Sequence, residues 1–264
     1  MIMKRYAIFF DLDGTLMEDV HHLYPRIETT LERLKENGHL CFVATGRGYS
    51  SIPAPLKSIM NGFVTLTGAG CIFDGKKIIE HRIPKECIDQ MAELSFSIGA
   101  PMFIQNDERA DMIISPDFEY EEDVYNMDSY VASYYRSMEE YRNGDINVGK
   151  VDTRSIFRKQ VEKLPCVVSG ELTTLDTADG WLEVLLSNLN KGTAIRELCE
   201  HIGHDIGNTV CFGDSENDLA MFEVCGIPIA VSNAMEEVKQ KASIVLEGNN
   251  QDAVIGVLHE LELI

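Results

Sequence analysis

A chain of 264 residues with 45% hydrophobic and 25% charged residues is long enough for one large or two modest domains, and its balance excludes a disordered or fibrous protein. A formal net charge of −20 sets it against nucleic acid and anionic membranes, and no basic patch offsets that charge, so neither partner is expected. An anionic substrate would have to be held by a local positive site, such as a metal ion.

The strand and helix signals alternate from the start. Residues 6–10, Tyr-Ala-Ile-Phe-Phe, form a short continuous apolar run of the kind buried on both faces of a parallel sheet, and the run ends at Asp11. After Pro25, Ile27, Leu31 and Leu34 recur at helical spacing and Gly38 is placed to end that helix. A strand at 40–44, a helix at 50–60 and a strand at 63–66 follow. The C-terminal part repeats the pattern, with strands at 209–212, 228–231 and 244–246 separated by helices at 218–224 and 235–241. Repeated βαβ units predict an α/β fold with a doubly wound, Rossmann-like parallel sheet.

Between these halves the pattern changes. Residues 71–79 carry an Asp74-Gly75 pair between apolar runs and read as a hairpin. A helix after Pro84 is followed by short strand candidates at 102–105, 112–115, 166–169 and 181–186, with a tyrosine-rich helix at about 124–141. This predicts an inserted α+β domain over 83–187, within a core made of 1–82 and 188–264. The acidic run 117–123 reads as a solvated surface loop, and the aromatic residues of the insert read as core packing.

The seven cysteines, at positions 41, 71, 87, 166, 199, 211 and 225, are odd in number and form no Cys-x-x-Cys pair. Several sit in apolar runs, as reduced cysteines do. Residues 1–10 lack the apolar stretch of a signal peptide, and nowhere do 18 apolar residues run uninterrupted. A cytoplasmic protein is expected.

Ligands of open α/β sheets gather beyond the carboxyl ends of the strands, which draws attention to three segments. In Asp11-Leu12-Asp13-Gly14-Thr15-Leu16, two carboxylates follow a buried strand, where crowded like charges call for a cation or a shared proton. Gly14 and Thr15 suit a turn whose amides face a phosphate. Thr45-Gly46-Arg47 ends the second strand with a hydroxyl and an accessible amide, although alone it reads as a plain turn. In Gly213-Asp214-Ser215-Glu216-Asn217-Asp218, Asp214 directly follows a strand, whereas Glu216 does no more than complement a helix dipole. A fourth element, Asn190-Lys191-Gly192-Thr193, opens a helix with a lysine that opposes the dipole, which points to a nearby anion.

In this order and spacing the four elements resemble the haloacid dehalogenase superfamily, specifically its Cof-type hydrolases with an α/β cap between the second and third motifs. The resemblance spans essentially the whole chain. It implies a Mg2+-dependent phosphatase in which Asp11 is the nucleophile that forms an aspartyl-phosphate, and Asp13 is the acid and then the base. It further implies a magnesium ion held by the Asp11 carboxylate, the Asp13 backbone carbonyl and Asp214. Phosphoryl oxygens would be bound by Thr45, the amides of Leu12 and Gly46, Lys191 and Asn217, while Asp218 would orient Lys191 or a metal-bound water. The implied substrate is a small phosphorylated metabolite, such as a sugar phosphate.

Two segments depart from the common pattern. Thr67-Gly68-Ala69 stands where many relatives have Asn-Gly-Ala, and Ser187-Asn188-Leu189 precedes Asn190 in place of a Gly-Val-Ser type. Two other functions fit the same elements: a phosphotransferase or phosphomutase that passes the phosphoryl group to an alcohol, and a metabolite-binding regulatory module without turnover.

Overall fold

The computed structural model describes residues 5–17, 22–115, 131–144, 146–177, 180–248 and 250–264. They form two compact units. One comprises Met1–Arg47, Ile52–Ile79 and Asn190–Ile264; the other comprises Gly48–Ser51 and Glu80–Leu189.

The first unit is built on an eight-stranded sheet. Its strands are β1 (Ala7–Phe10), β2 (Leu40–Ala44), β3 (Gly62–Thr65), β4 (Gly70–Phe73), β5 (Lys76–Glu80), β12 (Thr209–Gly213), β13 (Ile227–Ala230) and β14 (Ile244–Val245). Across the sheet the order is β14-β13-β12-β1-β2-β3-β4-β5. The six strands from β14 to β3 are parallel, and β4 returns antiparallel to β3. The α/β core with a parallel sheet is therefore as the alternating pattern predicts.

β1 is central because every residue in it is apolar. Phe9 stacks on Phe42 of β2 at 4.8 Å, and its neighbour Phe10 stacks on Phe212 of β12 at 4.9 Å. Successive strand residues point to opposite faces, so these two stacks anchor both sides of the sheet. From β1 the chain proceeds to β2 on one side, while β12 lies on the other. Asp11 thus emerges at the switch point where the strand order reverses, the place at which such sheets hold ligands.

The hairpin of β4 and β5 turns at Asp74 and Gly75, both with positive φ (47° and 70°), as an Asp-Gly turn between twisted strands requires. The expected helix at 50–60 is shorter. Tyr49–Ser51 form a single turn, and the helix runs only over Ala54–Ile59, because Pro53 sets its start. Likewise the C-terminal helix expected at 218–224 is a turn at Glu216–Asp218 followed by Leu219–Phe222.

The second unit has a six-stranded sheet of β6 (Met102–Gln105), β7 (Ala110–Ile113), β8 (Val131–Tyr135), β9 (Lys150–Arg154), β10 (Leu172–Asp176) and β11 (Trp181–Leu186), ordered β10-β11-β9-β6-β7-β8. All neighbouring pairs are antiparallel except β7 and β8. The helix Lys85–Ile98 contributes Cys87, Ile88, Met91 and Ala92 to a core shared with Met102, Ile104, Val151, Leu182 and Val184. Of the aromatic residues, Trp181 meets Phe103 edge-on at 5.3 Å and Tyr135 meets Tyr141 at 6.1 Å, both as packing contacts.

Two expectations for this region are corrected. Residues 166–169 are not a strand: Pro165–Val168 form a helical turn that Pro165 initiates. The helix expected at 124–141 is a strand over Val131–Tyr135 followed by a short helix, Met138–Asn143, whose N-terminus Ser137 caps. The remainder of that expectation, and the acidic run 117–123, lie outside the described residues. In addition, β9 and β10 are strands beyond those expected. Among the described residues no helix is long and apolar enough to cross a membrane.

Candidate active site

The site lies at the carboxyl ends of β1, β2 and β12. Asp11 continues β1 for one residue, its amide donating to the Phe212 carbonyl at 2.9 Å, and it is almost wholly buried. The chain then turns sharply through Leu12–Leu16, with Gly14 at φ 78°. Only glycine suits position 14. A Cβ there would lie 2.8 Å from the Asp214 carboxylate, and the left-handed backbone would strain any other residue. Thr15 Oγ1 donates to Asp214 Oδ1 at 3.4 Å, which ties the turn to the end of β12.

Lys191 is the electrostatic centre. It opens the helix Lys191–His201, where Asn190 and Thr193 form a reciprocal capping box, and it has no exposed surface. Its Nζ donates to Asp11 Oδ1 and to Asp218 Oδ1, each at 2.6 Å. The lysine that opposes the helix dipole is thus answered by two anions. The other Asp218 oxygen accepts from the amides of Asp214 and Ser215 at 2.9 and 3.0 Å. The approach of Asp218 to the strand end requires glycine at 213, since a Cβ there would sit 2.5 Å from Asp218 Cγ.

One carboxylate oxygen from each of Asp11, Asp214 and Asp218 lies within 4.8 Å of the others. Three carboxylates therefore face one ammonium. Burial, and then repulsion from Asp218, push the Asp214 carboxyl up to about 7. Burial also raises Asp11, against the pull of Lys191 and with further repulsion from Asp218, Asp214 and Asp13. Burial disfavours the charge on Lys191, but Asp11 and Asp218 outweigh it and hold the ammonium protonated. Oxygen-only donors whose negative charge is under-compensated fit a hard divalent cation such as Mg2+.

The other candidates are distributed around this centre. Asp13 is exposed, and its carboxylate is paired with Arg47 rather than joined to the three-carboxylate cluster. Leu12 and Thr45 are buried and Gly46 is half-buried. Thr45 follows β2, with its amide donating to the Val64 carbonyl at 2.9 Å and its hydroxyl accepting from the Arg47 amide at 3.1 Å. Asn217 lies in the turn after Asp214, where its Oδ1 accepts from Ser215 Oγ at 3.2 Å. Thr67, in the position that departs from the common pattern, donates its amide to the Thr45 carbonyl and adopts φ 55°, a conformation that costs a β-branched residue more than asparagine.

Residues 8–258 match the haloacid dehalogenase-like hydrolases. The chain belongs to that family. The 5-amino-6-(5-phospho-D-ribitylamino)uracil phosphatase YitU of Bacillus subtilis is 26% identical over 280 residues, covering 98% of each protein. The HMP-PP phosphatase of Escherichia coli is 28% identical over 251 residues, covering 90% of this chain and 87% of that one. Among solved structures, the subclass IIB sugar phosphatase BT4131 has a TM-score of 0.82 at 23% identity, over 98% of this chain and 100% of that one. The last likeness establishes the fold.

In this haloacid dehalogenase-like hydrolase, one positioning group had no sequence signal. Asn250, at the start of the helix Asn250–Glu260, donates Nδ2 to the Gly14 carbonyl at 2.8 Å and to Asn233 Oδ1. Its own Oδ1 accepts from the amide and hydroxyl of Ser232. A side chain 236 positions away thus pins the turn that carries Asp13. Asn250→Ala is expected to destabilise the protein by about 1–3 kcal/mol, because the Gly14 and Ser232 groups lose their partner. Urea denaturation checks this, and an unchanged midpoint would refute it.

Proposed function

We propose that this hydrolase is a magnesium-dependent phosphatase that acts on small phosphorylated metabolites, a sugar phosphate or similar phosphomonoester, through an aspartyl-phosphate on Asp11. The observation that carries the reading is the buried Lys191 ammonium shared between Asp11 and Asp218, with Asp214 alongside, at the ends of two adjacent parallel strands. The names of the phosphatases from Bacillus subtilis and Escherichia coli support the same reaction class.

In the first half-reaction an Asp11 carboxylate oxygen attacks phosphorus as the bond to the leaving oxygen breaks, and Asp13 gives that oxygen its proton. In the second, Asp13 takes a proton from the water that attacks the same phosphorus, which releases phosphate and restores the Asp11 carboxylate. Lys191 orients Asp11 and offsets the charge that gathers on the phosphoryl oxygens, while Thr45, the amides of Leu12 and Gly46, and Asn217 bind those oxygens. Asp218 fixes the direction of Lys191 and, through the amides it accepts, the position of Asp214.

Asp11 and Asp214 would hold magnesium by their carboxylates and Asp13 by its backbone carbonyl. When bound, the ion supplies positive charge where nucleophile and phosphoryl group, both anionic, have to meet. We assign the insert of residues 83–187 the part of a cap that selects the leaving group, and the segments 1–82 and 188–264 the catalytic core.

Incubation with an aryl phosphate and a panel of small phosphorylated metabolites tests this reading. Phosphate release that requires magnesium, stops with EDTA and returns when magnesium is restored is the expected result. Absence of release from every compound with magnesium present would contradict it, and transfer to an added alcohol in place of water would favour a phosphotransferase.

A further inference from the structure

Arg47 ends the Thr-Gly-Arg segment, and its backbone is held at both sides. Its amide donates to Thr45 Oγ1 at 3.1 Å, and its carbonyl accepts from the Leu66 amide at 3.0 Å. From this fixed base the guanidinium reaches Asp13 as a fork, Nε to Oδ2 at 2.9 Å and Nη2 to Oδ1 at 2.5 Å. The side chain of Asp13 is 53% exposed and that of Arg47 is 16% exposed.

A half-exposed ion pair contributes little to stability, so its two-point geometry is the more informative property. An exposed aspartate on a sharp turn has several open rotamers. A planar fork selects one, fixing both the direction and the plane of the carboxylate. Each carboxylate oxygen has two lone-pair sites, and the fork uses one on each. The remaining sites can meet a leaving-group oxygen or a water, and proton transfer needs that approach to be within hydrogen-bond reach.

We propose that Arg47 is a positioning residue for Asp13, which it acts through by aiming the carboxylate, and not a ligand of the substrate phosphate. The proposal rests on the phosphatase reading above. An arginine at a strand end beside a phosphate site invites the opposite assignment, direct phosphate binding, and the two differ in what they do to different leaving groups. Aiming the acid matters when the departing oxygen is a poor leaving group that needs its proton. Phosphate binding matters equally for every monoester.

The test compares wild type, Arg47→Gln and Arg47→Lys with magnesium on an alkyl phosphate such as glycerol phosphate and on p-nitrophenyl phosphate. The quantity read is kcat/KM, which reports the half-reaction in which the alcohol departs. Arg47→Gln is expected to lose about thirtyfold or more on the alkyl ester but no more than about threefold on the aryl ester. Arg47→Lys keeps the charge but not the fork and should recover little of the alkyl loss. Equal losses on both esters, or recovery by lysine, would overturn the assignment and make Arg47 a phosphate ligand. Wild-type protein inactive on both esters would instead overturn the phosphatase reading, and this proposal with it. Melting temperatures unchanged across the three proteins would show that the differences arise in the site.

Discussion

Asp11→Asn is expected to lower phosphate release by at least about a thousandfold while the protein melts no lower than wild type. The two effects separate because Asp11 is unfavourable where it stands. It is buried, three other carboxylates repel it, and among the described residues the compensating charge comes from Lys191, which Asp218 shares. An amide at position 11 fills the same volume, still accepts from Lys191 and removes one negative charge from the cluster. A carboxylate kept at a cost to stability is what a nucleophile requires. Retained activity in this variant would remove the mechanism. A large fall in melting temperature would instead show that Asp11 has a structural role.

Lys191→Ala carries the largest expected effect on folding. It leaves Asp11 and Asp218 buried without their common ammonium, and breaking a buried ion pair from one side costs about 3–5 kcal/mol. Part of that loss is recoverable, because a carboxyl in such a setting takes up a proton in place of the missing cation. A group whose folded-state pKa is raised loses stability as pH rises from its unfolded value towards its folded one, so the deficit should shrink towards acid and grow towards neutrality. Urea denaturation in EDTA at two pH values measures this directly. Activity should fall by about a hundredfold or more with magnesium present, since the charge on the phosphoryl oxygens loses a fixed partner. A variant as stable as wild type at neutral pH would contradict the account of the carboxylate cluster.

The core of the fold is legible in the sequence where burial and hydrophobicity coincide. β1 and β2 are continuous apolar runs ended by the residues that form the site, and Asp74-Gly75 marks its hairpin by turn chemistry alone. The strands that escape notice are those in which the two do not coincide. β9 reads Lys-Val-Asp-Thr-Arg, yet Lys150 and Asp152 are buried, because Lys150 pairs with Asp152 at 3.0 Å and with Glu183 of β11 at 2.8 Å. Charge in a sequence suggests solvent, and only the neighbouring strand reveals the pairing. Short apolar runs fail for a different reason: residues 166–169 suit a strand or a helical turn equally by periodicity, and Pro165 decides between them.

The site divides along the same line. Groups on strand ends and helix starts are read from local context, as for Asp11, Asp214 and Lys191. The roles of Arg47 and Asn250 depend on partners 34 and 236 positions away, Asp13 and the Gly14 carbonyl, and no local pattern announces them. Asp218 lies between these cases. Its local context assigns it no role, and only the family resemblance directs it to Lys191 or a metal-bound water; its two oxygens join Lys191 to the amides at 214 and 215.

The central claim is that the phosphoryl group passes through Asp11. Acid quenching of the protein during turnover of a phosphomonoester with magnesium, followed by peptide mass analysis, tests it most directly. One phosphoryl group on the peptide containing Asp11, absent from Asp11→Asn and lost on mild base treatment as an acyl phosphate should be, is the predicted result. Steady release of phosphate with no such adduct at any time, and with Asp11→Asn still active, would contradict it.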